Sequence, residues 1–205
     1  MPETVTRNLP VLALRGVTAF PGQTVSFDVE REISIYALDN AMESDRRIFA
    51  ITQKELSTSE PGERDLYAVG TVCHILQIVK TSDTTVRVVV EGESRARLLR
   101  LWQTQPFLQG QAELLPEQPA RSTARTEALL RRTYVLFDDY RQLASGLSDD
   151  FTAAVLDCRD AGELADLIAQ NITLRHQDRQ RVLEELHPEK RLRLVNDILT
   201  HEVDV

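Results

Sequence analysis

Hydrophobic periodicity changes character near Pro116, which divides the 205-residue chain into two parts that fold by different rules. Upstream, apolar residues alternate. Val25, Phe27 and Val29 share one face and Thr24, Ser26 and Asp28 the other, the pattern of a half-buried strand. Leu9 to Leu14 is a short apolar run interrupted by Arg15-Gly16 and closed by Phe20-Pro21-Gly22, a strand entering a corner. Tyr67 to Ile78 is apolar on both faces, as a central strand would be. Thr81-Ser82-Asp83 predicts a turn into Val86–Val90, Glu91-Gly92 a second turn into Ala96–Leu101, and Phe107 to Leu114 alternates again. One helix interrupts the series, with Ile35, Leu38, Ala41 and Met42 at helical spacing between Arg31 and Asp45. Short strands at regular separations predict a small, twisted, partly closed sheet.

From Ser122 onward the period is helical. Leu130, Tyr134, Phe137 and Ala144 form one stripe, widened by Leu129, Leu136, Tyr140 and Leu143. Gly146 suits a helix end and Ser148 an N-cap. Asp160 stands at capping-box spacing from Glu163, ahead of Leu164, Leu167 and Ile168. A further helix covers about His176 to Leu186, and Pro188 occupies a first-turn position before Leu192, Val195, Ile198 and Leu199. The expectation is α+β: a β-rich unit over 1–116, then a bundle of about five helices over 122–205.

Charge and composition exclude several function classes. The net charge is −8, with neither half basic, which argues against a nucleic-acid footprint. No apolar run reaches the roughly 18 residues of a membrane span, and Met1-Pro2-Glu3-Thr4 does not open a secretion signal. Cys73 and Cys158, the only cysteines, read as reduced thiols, so a cytoplasmic location without membrane contact is expected.

Catalytic patterns are missing. None of the eight glycines opens a Gly-x-x-x-x-Gly-Lys phosphate loop. Lys54, Lys80 and Lys190 read as surface charges, and the four histidines are scattered. Cys73 and His74 point to opposite faces of one strand and cannot share a metal. The pairs Asp138-Asp139 and Asp149-Asp150 diverge by about 100° on a helix, too far for joint acid–base work. No catalytic and no metal-binding residue is expected. Glu55 to Asp65, turning at Pro61-Gly62, reads as a mobile connector or as the flank of a groove.

Three segments, Leu9-Pro10-Val11-Leu12-Ala13-Leu14-Arg15-Gly16-Val17-Thr18-Ala19-Phe20-Pro21-Gly22, Asp65-Leu66-Tyr67-Ala68-Val69-Gly70-Thr71-Val72 and Glu91-Gly92-Glu93-Ser94-Arg95-Ala96-Arg97-Leu98, together resemble the amino-terminal domain of the ATP-dependent Lon protease family, in order and at plausible spacing. Leu164 to Ala169 and Arg179 to Glu184 look like the helices that follow it, so the resemblance covers roughly Leu9 to Ile198. It implies a pseudo-barrel of PUA-like type that recruits unfolded or damaged proteins. It also implies that ATP, Mg and a Ser–Lys dyad belong to downstream ATPase and protease modules, in a ring expected to be a hexamer, and that this chain is the first part of a longer one. A promiscuous recruiting surface should be a shallow apolar patch. Phe20, Pro21, Trp102 and Phe107, at turns or strand ends, are the candidate contacts. Arg15, Gly22, Gly70, Glu91, Gly92 and Arg95 are read as structural motif residues, with Arg95 and Arg97 sharing a strand face and pairing with Glu91 or Glu93. The alternatives are a free-standing binding module of the same type and, against the charge, an RNA-binding domain.

Overall fold

Upstream of Pro116 the alternating segments form one six-stranded sheet. The structure, a computed structural model, describes residues 3–205 and divides into two compact units, one ending at Pro116 and the other beginning at Glu117. In the first unit the order is β1 (Thr6–Leu14), β2 (Thr24–Val29), α1 (Glu32–Met42), β3 (Arg47–Thr52), β4 (Val69–Lys80), β5 (Val86–Gln103) and β6 (Gln109–Leu115). The strands lie in the order β2-β5-β4-β3-β1-β6, and β5 also pairs with β6. That extra pairing closes five strands into a barrel and leaves β2 attached to β5 alone. Every pairing is antiparallel except β1 with β3.

β1 and β3 are continuous apolar runs because both of their faces are buried. Leu12, Leu14, Ile48 and Ala50 pack with Leu38, Ala41, Phe27, Ile75 and Val90, while Leu9, Val11, Ala13, Phe49 and Ile51 pack with Val72, Ala96, Leu108 and Ala112. Sequence periodicity passed over β3, although Ile48-Phe49-Ala50-Ile51 is fully interior. A four-residue apolar run has no period of its own to betray it.

Glu91-Gly92 is not a turn. β5 runs unbroken through it for 18 residues, pairing with β2 as far as Glu91 and with β6 from Arg95. Between these, Glu93 is the extra residue of a bulge opposite Val72 and Cys73. A bulge bends a strand sharply without ending it, so Gly and flanking acids here mark a bend.

The second unit contains α2 (Ala124–Leu143), α3 (Asp149–Asp157), α4 (Ala161–Asn171), α5 (His176–Glu184) and α6 (Pro188–Asp204). The caps follow the sequence signals. Ser148 Oγ accepts from Phe151 N–H at 3.1 Å, and Asp160 Oδ1 accepts from Gly162 and Glu163 N–H at 2.9 and 3.0 Å. The buried stripe of α2 is Thr126, Leu130, Thr133, Phe137 and Tyr140. Leu143, read as part of that stripe, is 67% exposed. Two threonines take interior positions there, with Thr133 Oγ1 donating to Leu129 O at 2.9 Å.

Candidate functional site

The three motif segments meet at one corner of the barrel. The Phe20-Pro21-Gly22 turn lies against β5: Gly22, at φ 73°, donates its N–H to Gly92 O at 2.8 Å, and Gly92 N–H donates to Gln23 O at 2.9 Å. A Cβ on Gly92 would stand 2.1 Å from Phe20 O, and one on Gly70 would stand 2.5 Å from Ala50 O. Thr71 Oγ1 donates to Ala19 O at 2.7 Å, and Thr52 Oγ1 donates to Val17 O at 2.7 Å. Arg95, opposite Thr71 in the β4–β5 ladder, is fully buried and engaged within the fold. Its neighbour Arg97 is exposed and lies 3.9 Å from Glu113, while Glu93 forms a two-bond pair with Arg47 at 2.8 and 3.0 Å. Arg97 and Glu93 thus differ from the pairing expected for them. The bulge carries Glu93 past β4 to the β3 side. Glu91 is exposed beside this corner.

The corner changes the reading of Phe20, which is completely buried and has no face for a ligand. Its burial is the consequence of seating the turn on Gly92. Pro21 next to it is half-buried. Phe107 is also buried, but borders a shallow groove of about 360 Å³ with Tyr36, Asp39, Asn40, Glu43 and Pro106. None of the other three predicted contacts lines that groove. Tyr36 is held there by its hydroxyl, which donates to Glu32 at 2.7 Å and is made harder to ionise by that bond and charge.

Trp102 is 44% exposed, and the reason is local. Register shifts in the β5–β6 ladder leave Leu99 and Trp102 as extra residues without partners on β6. Leu76 is the corresponding residue of the β4–β5 ladder. All three large apolar side chains are exposed, because a bulge re-aims the residue it inserts.

Sequence reasoning missed a larger feature. A cleft of about 510 Å³ is lined by Leu12 to Arg15 and Val17 on one side and by Ser26 to Arg31 with Ser34 on the other. Leu12, Leu14, Phe27 and Val29 give it an apolar floor. Arg31, between β2 and α1, donates to Ala13 O at 2.6 Å, to Gln53 Oε1 at 3.0 Å and to Ser59 O at 3.4 Å. Arg15 donates to Thr58 O at 3.3 Å. Burial, and secondarily the charge of Arg15, lower the pKa of Arg31. The loop of residues 55–65 is tied to this region. Gln53 Nε2 donates to Glu55 O and Thr58 O at 2.7 and 2.9 Å, and Lys54 N–H donates to Asp65 O at 2.7 Å. That places the loop beside the cleft and fastens it there, against the reading of a mobile connector. The sequence signal for the cleft is the polar loop of residues 55–65, one reading of which is the flank of a groove; the strand edges that form the cleft carry no local signal.

The Cys73 thiol is buried and pushed up well beyond its ordinary pKa, by desolvation first and by the Glu93 charge second, so it packs and does not react. Among the described residues no group of three or more His, Cys, Asp or Glu side chains is placed to hold a metal ion, and no helix is long and apolar enough to cross a membrane.

A model of the family described as the ATP-dependent protease La (LON) substrate-binding domain matches residues 8–201. Lon protease of Clostridioides difficile (strain 630) is 36% identical over 205 residues, covering 98% of this chain and 26% of that relative. Lon protease 1 of Bacillus subtilis (strain 168) is 35% identical over 205 residues, covering 100% and 26%. The chain therefore spans about a quarter of the length of these relatives. Among solved structures, the N-terminal domain of Mycobacterium avium complex Lon protease superposes with a TM-score of 0.73 at 21% identity, covering 95% of this chain and 98% of that one. The Lon N-terminal domain protein from Xanthomonas campestris gives 0.63 at 18% identity with the same coverage. These two establish the fold.

Proposed function

The chain belongs to the Lon substrate-binding domain family, and from that premise we propose that it is the substrate-recognising and assembly-supporting region of an ATP-dependent Lon serine protease acting on misfolded, damaged and short-lived proteins. The family match over residues 8–201 carries this reading. The surface supports it: a cleft with an apolar floor and a polar rim, a shallow groove at Phe107 and side chains displayed on bulges suit loose, sequence-tolerant contact.

In this reading the first unit holds an unfolded segment through weak contacts, and the helical unit links recognition to the modules that unfold and cut. ATP with Mg and the Ser–Lys dyad belong to those modules, a reading supported by a sequence without a Gly-x-x-x-x-Gly-Lys loop. The assembly is a ring, taken as a hexamer, in the cytoplasm. The net charge of −8 opposes nucleic acid as a partner.

Two observations test this. Labelled carboxymethylated protein, permanently unfolded, should bind the 205-residue chain, and the same protein in its folded form should not. Equal affinity for both would remove the recognition role. An immunoblot of source cells should show a band several times heavier than 23.2 kDa; a band at 23.2 kDa would remove the proteolytic role and leave a free-standing binding module.

A further inference from the structure

The first unit has a gap between two main-chain edges. Leu12 to Arg15 and Ser26 to Arg31 line the cleft as unbroken runs. Side chains of a strand alternate between faces, so consecutive residues border one space together only along the hydrogen-bonding edge. The parity of the ladders agrees. Gly92 N–H donates to Gln23 O, and the register continues without a shift from Thr24–Glu91 to Val29–Val86. The main chain of Val25, Phe27 and Val29 therefore turns toward β5, and that of Thr24, Ser26 and Asp28 turns outward. On β1, Val11 N–H donates to Leu108 O at 2.8 Å and Leu14 O accepts from Gln53 N–H at 2.9 Å. Ala13 accordingly faces the side of Val11, beyond Pro10, the last residue paired with β6. A guanidinium fills that place, Arg31 donating to Ala13 O.

The charge in this gap is unbalanced. The three acceptors of Arg31 are neutral oxygens, and its neighbouring charge, Arg15, has the same sign. Among the described residues neither arginine forms a salt bridge. Of the acids on the wall, Asp28 is held by Arg87 through bonds of 2.8 and 3.2 Å, and Glu30 is exposed. A carboxylate entering the cleft meets two guanidiniums with no anion of their own, Arg31 half-buried, where such bonds are strengthened, and Arg15 exposed at the rim.

We propose that the cleft takes an extended segment of a client protein as an added strand along the outer edge of β2, with a carboxylate of that segment held by Arg31 and Arg15. The inference rests on the substrate-recognition reading and gives it a place and a chemistry. Strand addition uses main-chain bonds that any unfolded sequence can offer, and the segment's side chains pass over a floor built on the nearly buried Leu12, Leu14, Phe27 and Val29. The carboxylate adds a preference for a chain end or for an acidic residue beside apolar ones.

The test is fluorescence anisotropy with labelled decapeptides of alternating leucine and serine: one with a free C-terminal carboxylate, one amide-capped, and one amide-capped with an internal aspartate. Each is titrated with the full 205-residue chain and with its Ser26→Pro and Arg31→Gln variants. Ser26→Pro removes an outward N–H without costing a β2–β5 bond. It should weaken every peptide by about tenfold or more. Arg31→Gln should weaken the two acidic peptides by about tenfold and leave the neutral one unchanged. The acidic peptide that loses more identifies chain end or side chain as the source of the carboxylate. A free-acid peptide N-methylated at alternate residues should lose binding to the unaltered chain, which tests strand addition even where Ser26→Pro disturbs folding. Undiminished binding by both variants overturns the site and leaves substrate recognition standing. Loss with Arg31→Gln alone, with the N-methylated peptide still bound, overturns strand addition. Failure of the unaltered chain to bind both the peptides and unfolded protein overturns the recognition reading as well.

Discussion

At Gly92 a methyl group would stand 2.1 Å from the Phe20 carbonyl oxygen and 2.8 Å from its carbon, so β5 passes the Phe20-Pro21-Gly22 turn only with a bare Cα. Both obstacles are backbone and cannot rotate away. Gly92→Ala should cost about 3 kcal/mol, roughly 10 to 20 °C in Tm, by forcing the turn off the strand. A thermal melt checks this, and a Tm within a degree or two of the unaltered chain would contradict the packing of the corner. Asp28 and Arg87 sit at the same scale but matter differently. The two bonds from Arg87 hold the exposed Asp28 carboxyl below its usual range, more than its slight burial raises it. A depressed folded-state pKa adds stability that is complete above the unfolded value, about pH 4, and is lost as pH falls through the lowered one. Asp28→Asn should therefore lower Tm slightly at pH 7 and by less as pH falls toward 2. A larger effect at pH 2 would reverse the sign and exclude the pair as its origin.

Among the elements, α6 depends on a residue that periodicity does not flag. Arg191 is wholly buried, yet its guanidinium reaches Glu117 at 2.9 Å, Asp166 at 3.5 Å and the carbonyls of Glu185, Leu186 and Gly162 at 2.7, 3.4 and 3.5 Å. It joins the start of the helical unit, α4 and the α5–α6 junction through one planar fork. Arg191→Leu leaves the buried Asp166 without that charge and the carbonyls without their donor, a loss of about 3 to 5 kcal/mol. Arg191→Lys should not restore it, because an ammonium cannot fork. Differential scanning calorimetry should show the unfolding transition that includes the helical unit lowered. A lysine variant as stable as the original would contradict the geometric argument. The same scale shows what sequence makes legible. Caps at Ser148 and Asp160 and the first-turn proline at Pro188 were readable because each is decided within one turn of helix. Edge and centre in a sheet are decided by distant pairings. β3 went unread and β5 was broken in two, since neither burial on both faces nor a bulge leaves a local period.

For the whole molecule, the family was legible because its three motifs touch. Ala19 to Gly22, Gly70-Thr71 and Gly92 to Arg95 form one packed corner, and close backbone approach restricts which residues serve there. The binding surface was much less legible. Phe20, chosen for its place at a turn, anchors that corner from inside, while Trp102 is exposed through a bulge no composition reveals. The cleft between β1 and β2 exists because β2 pairs on one side only and β6 stops at Pro10, facts of topology rather than of sequence. The central claim is that this chain distinguishes unfolded from folded protein through the surface of its first unit. The most direct measurement is a titration of the ¹⁵N-labelled chain with carboxymethylated, unfolded protein and with the same protein folded, followed by amide chemical shifts. The account predicts shifts confined to the first unit, largest around Leu12–Arg15 and Ser26–Arg31, with the unfolded form alone; no shifts with it, or equal shifts with both forms, would contradict it.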